Sequence, residues 1–444
     1  MISKSKKGLI SLVLAVTILT TFSNFAMTQV KELHIAINKS PWLPAFEKLT
    51  KMYEGETGVK MVLHVFPFMG LYEKELAAVT TASKTYDLMN MNEIWGPFFY
   101  AGRYLTPLKE IDPEFTVPSH LMQFFWEGYW DDKVHYQAPT GVLYGIHVNG
   151  NIHLLQYRED KYKEAGLPTP PETWDDVLEA ARKLFDPPNF YGYVIRGARG
   201  DPIFYNSMTI RHAYNGYMFR DPLKGDFTIT VNDEKNVEAW EMYARNLNEY
   251  GPPGVGNIGQ TEMMGLLASG RALQAIVVSA AFPHLDDPEF SAVPFKIQFA
   301  VPPKGRGGDH SSTVAGWTMV VPRFISDERK KAALDFLKWS ITQKPQVEYT
   351  KMGGVPVSTT VFQSELMRDP KYRFLKATQD SIPYFSSMPL IPECAQIRDV
   401  MGLHLNRALI EEEGVRESLD KTAQEILEIM RGAGYKGVTI APRS

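Results

Sequence analysis

Between Leu33 and Val65 the apolar residues change period twice, and that change constrains the fold more than any other feature of the chain. Leu33, Ile35 and Ile37 alternate with polar neighbours, as do Met61, Leu63 and Val65, which is the period of a strand with one buried face. Between them Leu43, Phe46, Leu49 and Tyr53 recur at helical spacing, with Gly55 and Gly58 as stop signals. A second helix is expected from Tyr72 to about Ser83 and a buried strand from Tyr86 to Met91. Repeated strand and helix alternation predicts a parallel sheet with helices on both faces, an open α/β lobe.

A chain of 444 residues is longer than one core supports, since single cores stop growing at about 250–300 residues. Two lobes are therefore expected. Later helices carry local start signals: Thr173 with Asp176 in a capping-box pattern ahead of Val177, Leu178, Ala181 and Leu184, then Asn232, then Ser326 ahead of Ala333, Phe336, Leu337 and Ile341. The last long helix is expected from about Val415 to Arg431, with Gly432 free to take the left-handed conformation that ends it. Pro168 to Pro171, Gly251 to Gly256 and Pro302 to Gly308 mark loops. No single boundary divides the chain, a pattern consistent with lobes joined by several crossings.

The N-terminus reads as a targeting segment. Lys4, Lys6 and Lys7 precede an apolar run from Leu9 to Leu19, and a smaller, more polar stretch reaches Ala26, the order of a secretory signal peptide cleaved near residue 26. An uncleaved anchor is the alternative, but the run is short for about 30 Å of hydrocarbon. Cys394 is the only cysteine, so no intrachain disulfide can form, and a lipid-modified cysteine near the start is excluded. A net charge of −4 offers no long-range attraction for nucleic acid or anionic lipid. A soluble periplasmic protein, monomeric in the simplest case, is expected.

The most specific run is YGIHVNGNIHLLQYREDKYKEAGLPTPP from Tyr144 to Pro171, followed by Glu172, Thr173, Trp174 and Asp175. It resembles the family 1 extracellular solute-binding proteins of ABC importers, in which Y-G-x-P precedes a strand ending in Y-[NR]-x-D, then E-A-G-L and P-P-x-T-W. His147 replaces the proline of that pattern. Tyr86-Asp87-Leu88 with Trp95, Leu267 to Ala272, Gly316-Trp317, Phe336 to Trp339 and Gly353 to Pro356 follow in the family order, so the resemblance spans nearly the whole chain after the signal. Ser358 stands where many sugar-binding relatives carry an arginine.

The resemblance implies two α/β lobes, each a mainly parallel sheet flanked by helices, that close around a ligand by rigid-body rotation. It implies three hinge crossings, near 147–151, 310–316 and 354–360. Lobe one would then hold residues 27–147 with about 317–354, and lobe two about 148–316 with 355–444. It further implies a carbohydrate or polyol ligand, a membrane permease as partner, no cofactor or metal, and no catalysis.

A sugar presents hydroxyl edges and apolar faces, so its pocket needs aromatic platforms beside paired donors and acceptors. Trp42 follows the first strand, and strand ends in open α/β sheets face the ligand crevice. Asn92, Glu93 and Trp95 follow the strand at 86–91, where the resemblance implies a cleft loop. His147, Asn149 and Asn151 occupy the first crossing, Gly316 and Trp317 the second, and Ser279 ends a strand-like run. Arg199 has the fork to hold an acidic sugar, although a surface arginine is the plainer reading. Trp126 and Trp130, four apart on an expected helix, suit core or interlobe packing.

Other motifs carry less. Gly254, Gly256 and Gly259 spell GxGxxG but follow Pro252 and Pro253 rather than a strand. His147 and His153 lack zinc-motif spacing, and no HExxH occurs. A receptor for another small organic solute and an exported carbohydrate-active enzyme with paired carboxylates remain the alternatives.

Overall fold

The computed structural model describes residues 30–442. The signal-peptide expectation falls on residues 1–26 and lies outside the described residues. Along the chain the main strands are β1 (Glu32–Asn38), β2 (Lys60–Phe66), β3 (Leu88–Asn92), β4 (Gly145–Asn149), β5 (His153–Arg158), β6 (Gln274–Val278), β7 (Ile297–Ala300) and β8 (Trp317–Val320). The main helices are α1 (Leu43–Thr57), α2 (Phe68–Thr80), α3 (Trp174–Leu184), α4 (Asp201–Ala213), α5 (Asp327–Ser340), α6 (Gln343–Lys351), α7 (Cys394–Leu409) and α8 (Val415–Gly432).

Two sheets organise these elements. The first has the order β2-β1-β3-β8-β4, and the second the order β6-β5-β7. In the first sheet β1 runs parallel to β2 and β3, as strand–helix–strand units require, whereas β8 runs antiparallel to both β3 and β4. The second sheet is antiparallel throughout. This differs from the mainly parallel sheets expected from element order, because β8 enters the first sheet only after the chain has traversed the second. Long excursions also separate β5, β6 and β7, which leaves their directions free of the right-handed crossover that enforces parallel pairing.

The local signals act in part: the helix expected to follow Asn232 is capped instead by Asp233, whose side chain accepts from the Asn236 amide, and Ser326 stands at the N-cap of α5 without a side-chain cap bond. Thr173 accepts from the Asp176 backbone and Asp176 returns a bond to the Thr173 amide, closing the capping box of α3. Helix α2 begins at Phe68, four residues before the expected start, since Pro67 in extended conformation sets its N-terminus. The left-handed residue that closes α8 is Gly434, with φ of 91°, rather than Gly432, which completes the helix. Trp130 lies in the short strand Tyr129–Trp130, and Trp126 has φ of 62°, so the pair does not share a helix.

Three passages of chain, at Gly150 to Ile152, at Val314 and Ala315, and at Val355, lie side by side between the two sheets. After β4, Gly150 donates its backbone N–H to Val355, while Ala315, approaching β8, donates to Asn151. Ile152 bridges Val314. The three passages are thus hydrogen-bonded to one another. Helices α5 and α6 pack with α1 on the first sheet's side, whereas α4, α7 and α8 pack together beside the second.

Candidate functional site

The carboxyl ends of β1 and β3 and the start of antiparallel β8 lie on one edge of the first sheet. In register, Trp317 pairs with Asn92 on one side and Asn149 on the other. That edge faces the second sheet across a cavity of about 380 Å³, within the ~300–1,000 Å³ of small-molecule sites. A larger concavity of about 730 Å³ lies around Arg103, Phe115 and Val142, without tryptophan in its wall and with no residue of β5, β6 or β7. Only the first cavity is bounded by both sheets, and open α/β sheets bind ligands at strand ends.

Trp42, Asn92, Glu93, Asn151 and Trp317 come together in its wall. Trp42 occupies the N-cap of α1, its ring 6.0 Å from Trp317. Trp317 also meets Phe68 at 6.0 Å and Trp95 at 6.1 Å, both edge to face. The indole N–H of Trp42 and Oδ1 of Asn92 are buried with no hydrogen-bond partner among the described residues. Unpaired donors and acceptors beside indole faces are what a polyhydroxylated ligand would satisfy.

The remaining expected residues sit behind that wall. Trp95 is held at 4.7 Å by Phe68 and 5.3 Å by Tyr72, both from α2, so its ring is packing for the aromatic cluster and not cleft surface. His147 bonds Glu127 Oε2 at 2.6 Å and packs on Phe124. Burial pushes the imidazole down to about 3 and the Glu127 carboxyl well up, so the pair shares one proton as a neutral unit. Asn149 accepts from the Tyr349 hydroxyl at 2.8 Å and from the Val355 backbone at 3.1 Å, tying the first passage to the third. Ser279 accepts at Oγ from the Ile152 amide and donates its own amide to Ile152. Gly316 is required by packing, because a Cβ there would fall 2.5 Å from His147 Cδ2 and 2.7 Å from Glu127 Oε2.

The opposite wall holds Arg196, Asp201 and Tyr205, which sequence reasoning did not single out, and His153, which it weighed only as a metal ligand. Tyr205 donates its hydroxyl to Glu93 Oε1 across the cleft, and Asn92 Nδ2 donates to Glu93 Oε2 at 2.6 Å. Burial, with Glu127 nearby, raises the Glu93 carboxyl well above the usual range against the Tyr205 bond. Burial likewise pushes His153 down to about 4, helped by Arg196 and opposed by its bond to the Thr313 carbonyl. Since Nδ1 bonds a carbonyl, it carries the hydrogen, and neutral His153 keeps Nε2 as an acceptor. Arg199 is exposed, while Arg196 three residues earlier faces the cavity. The usable signal for this wall was position alone: Tyr205 and Asp201 open a helix after a Gly-rich turn. Ser358 bonds His120 at 3.0 Å and caps the turn Thr359–Gln363 away from the cavity wall.

Residues 38–347 match the family described as bacterial extracellular solute-binding protein. The mannitol-binding protein of Pseudomonas aeruginosa is 23% identical over 413 residues, covering 88% of this chain and 91% of that protein. An ABC transporter solute-binding protein from Agrobacterium radiobacter K84 in complex with ribitol superposes with a TM-score of 0.74 at 23% identity, covering 90% of this chain and 98% of that one. Another from Agrobacterium vitis S4 with bound D-mannitol gives 0.72 at 22% identity, covering 91% and 99%. With a match running from the end of β1 into α6 and a cavity bounded by two sheets, this chain belongs to the bacterial extracellular solute-binding proteins, which bind their solutes rather than transform them.

Proposed function

We propose that this chain is the substrate-binding component of an ABC importer, which captures a carbohydrate or polyol between two lobes and presents it to a membrane permease. The observation that carries the reading is the wall of Trp42 and Trp317 beside unpaired polar atoms of Trp42 and Asn92. Apolar C–H faces lie against the indoles while hydroxyls both donate and accept. Relatives with mannitol and ribitol as named ligands support an alditol-sized solute, and the modest cavity suits one.

In this reading, lobe one comprises residues 27–147 together with about 317–354, and lobe two about 148–316 with 355–444. A ligand touching Trp317 and Tyr205 at once gains more in the closed arrangement than in an open one, and that difference drives closure. The permease reads the closed form. Export through the N-terminal signal delivers the protein to the periplasm, where a monomer suffices.

A thermal-shift screen of alditols and monosaccharides, followed by calorimetry, tests this. Binding to the native state alone raises the melting temperature. A clear shift from some other solute class with none from any sugar or polyol would overturn the ligand assignment, and turnover of a bound ligand would overturn the receptor reading.

A further inference from the structure

The cleft contains one guanidinium that no described residue bonds, although Asp201 in the same wall opposes its charge at a distance. Arg196 is partly buried in the cavity wall, and its Nε is buried without a hydrogen-bond partner. Its guanidinium makes no hydrogen bond or ion pair with any described residue; its backbone amide, by contrast, bonds Asn206 Oδ1 at 3.3 Å. An arginine fork taken partly out of water without an acceptor is costly, and carboxylates are its geometric complement.

The acids nearby are already engaged. Asp201 forms an ion pair with Arg398 at 3.1 Å, without a hydrogen bond at that oxygen and with Arg196 acting on it only at a distance, and Arg398 in turn holds Asp399 at 2.8 Å. Glu93 has one oxygen on the Tyr205 hydroxyl and the other on the Asn92 amide. His153 stands beside Arg196 as a neutral ring, its Nδ1 on the Thr313 carbonyl at 3.2 Å. Lys39, exposed at the rim, adds a second positive group. The described wall thus offers an unbonded guanidinium and a rim ammonium on one side and indole faces with unpaired neutral groups on the other.

We infer that the solute is an acidic polyhydroxy compound, an aldonate or uronate of about hexose size, whose carboxylate pairs with Arg196 while its hydroxyls meet Trp42 and Asn92. The inference rests on the receptor reading above and narrows it. A carboxylate matches the single charge of Arg196, whereas a phosphate monoester would leave a second negative charge to be met by Lys39 alone.

Calorimetry of the purified full chain with matched alditols, aldonates and alditol phosphates, in the manno, gluco and galacto configurations, provides the test. For at least one configuration the aldonate is expected to bind about tenfold or more tighter than its alditol, with the preference shrinking as salt rises. Arg196→Gln should bring acid and alditol to within about twofold of each other, and Arg196→Lys should retain part of the preference. Alditol binding as tight as aldonate binding in every configuration would overturn the inference and leave the receptor reading standing. A preference for the phosphate ester would replace the carboxylate with a phosphoryl group. Binding by none of the compounds would defeat the polyol reading itself. If Arg196→Gln fails to fold, the wild-type preference and its salt dependence decide alone.

Discussion

The hydroxyl of Tyr205, on α4, donates to Oε1 of Glu93, immediately after β3, so that a single hydrogen bond joins the two walls of the cleft. Both residues are buried, and each loses a partner if the walls part. Tyr205→Phe keeps the ring and removes only that bond. The expected result is a native fold whose affinity for its solute is about tenfold weaker, since a buried hydrogen bond to an acid is worth ~1–2 kcal/mol. Calorimetry measures the affinity, and small-angle scattering of the unliganded protein reports whether the open form is enriched. Unchanged affinity would remove the bond from any account of closure.

Trp317 meets Trp42, Phe68 and Trp95 within about 6 Å between ring centroids and is 6% exposed. Trp317→Ala should therefore lower stability by about 3–5 kcal/mol, measured by urea unfolding, and weaken ligand binding measured by calorimetry. Trp317→Phe should cost less and keep weak binding. A cost below about 1 kcal/mol for the alanine variant would mean that the cluster repacks.

Gly316 separates packing from ligand contact. In Gly316→Ala the new methyl meets His147 and Glu127, both buried, and neither can move without breaking their 2.6 Å bond. A loss of about 1–3 kcal/mol in stability is expected. Thermal melting with and without ligand checks this: the ligand-induced shift should survive, and its loss with unaltered stability would restore Gly316 to the ligand's surroundings.

Acid should weaken the fold through buried imidazoles. Burial, followed by Arg196, holds His153 at about 4 against an ordinary value near 6.5. Between those values the unfolded chain binds the proton and the native chain does not, so stability is lost as pH falls from about 6.5 toward 4. His153 alone accounts for roughly 2–3 kcal/mol at pH 4.5. Urea midpoints at pH 7 and 4.5 should fall further apart in wild type than in His153→Gln, and equal spacing would contradict the shift.

The first strand–helix–strand unit was legible because its periodicity is local, and so was the capping box at Thr173. The direction of β5, β6 and β7 was not, since it depends on pairing between segments more than a hundred residues apart in the case of β5 and β6. At the site, Trp42, Asn92, Glu93, Asn151 and Trp317 follow or flank strand ends, which places them in the cavity wall by a rule readable from sequence. Trp95 obeys the same rule yet is covered by Phe68 and Tyr72, a packing outcome that spacing does not encode. Asn149 was read as an amide for a ligand, but its acceptor serves Tyr349 and Val355, two hundred residues away. Arg199 and Arg196 lie in one aperiodic loop, where nothing in the spacing tells which side chain points inward.

The three passages between the sheets are bonded to each other through Gly150 and Val355, Asn151 and Ala315, and the side chain of Asn149. If the lobes rotate as proposed, passages clasped in this way would turn together, an axle rather than three independent tethers. A small change of twist at the axle is multiplied by distance into a large displacement at the cleft mouth. On that reading Tyr349→Phe and Ser279→Ala, neither at a residue lining the cavity wall, are expected to change solute affinity in calorimetry while leaving the choice among solutes unaltered, a dial for affinity separate from the residues that choose the solute.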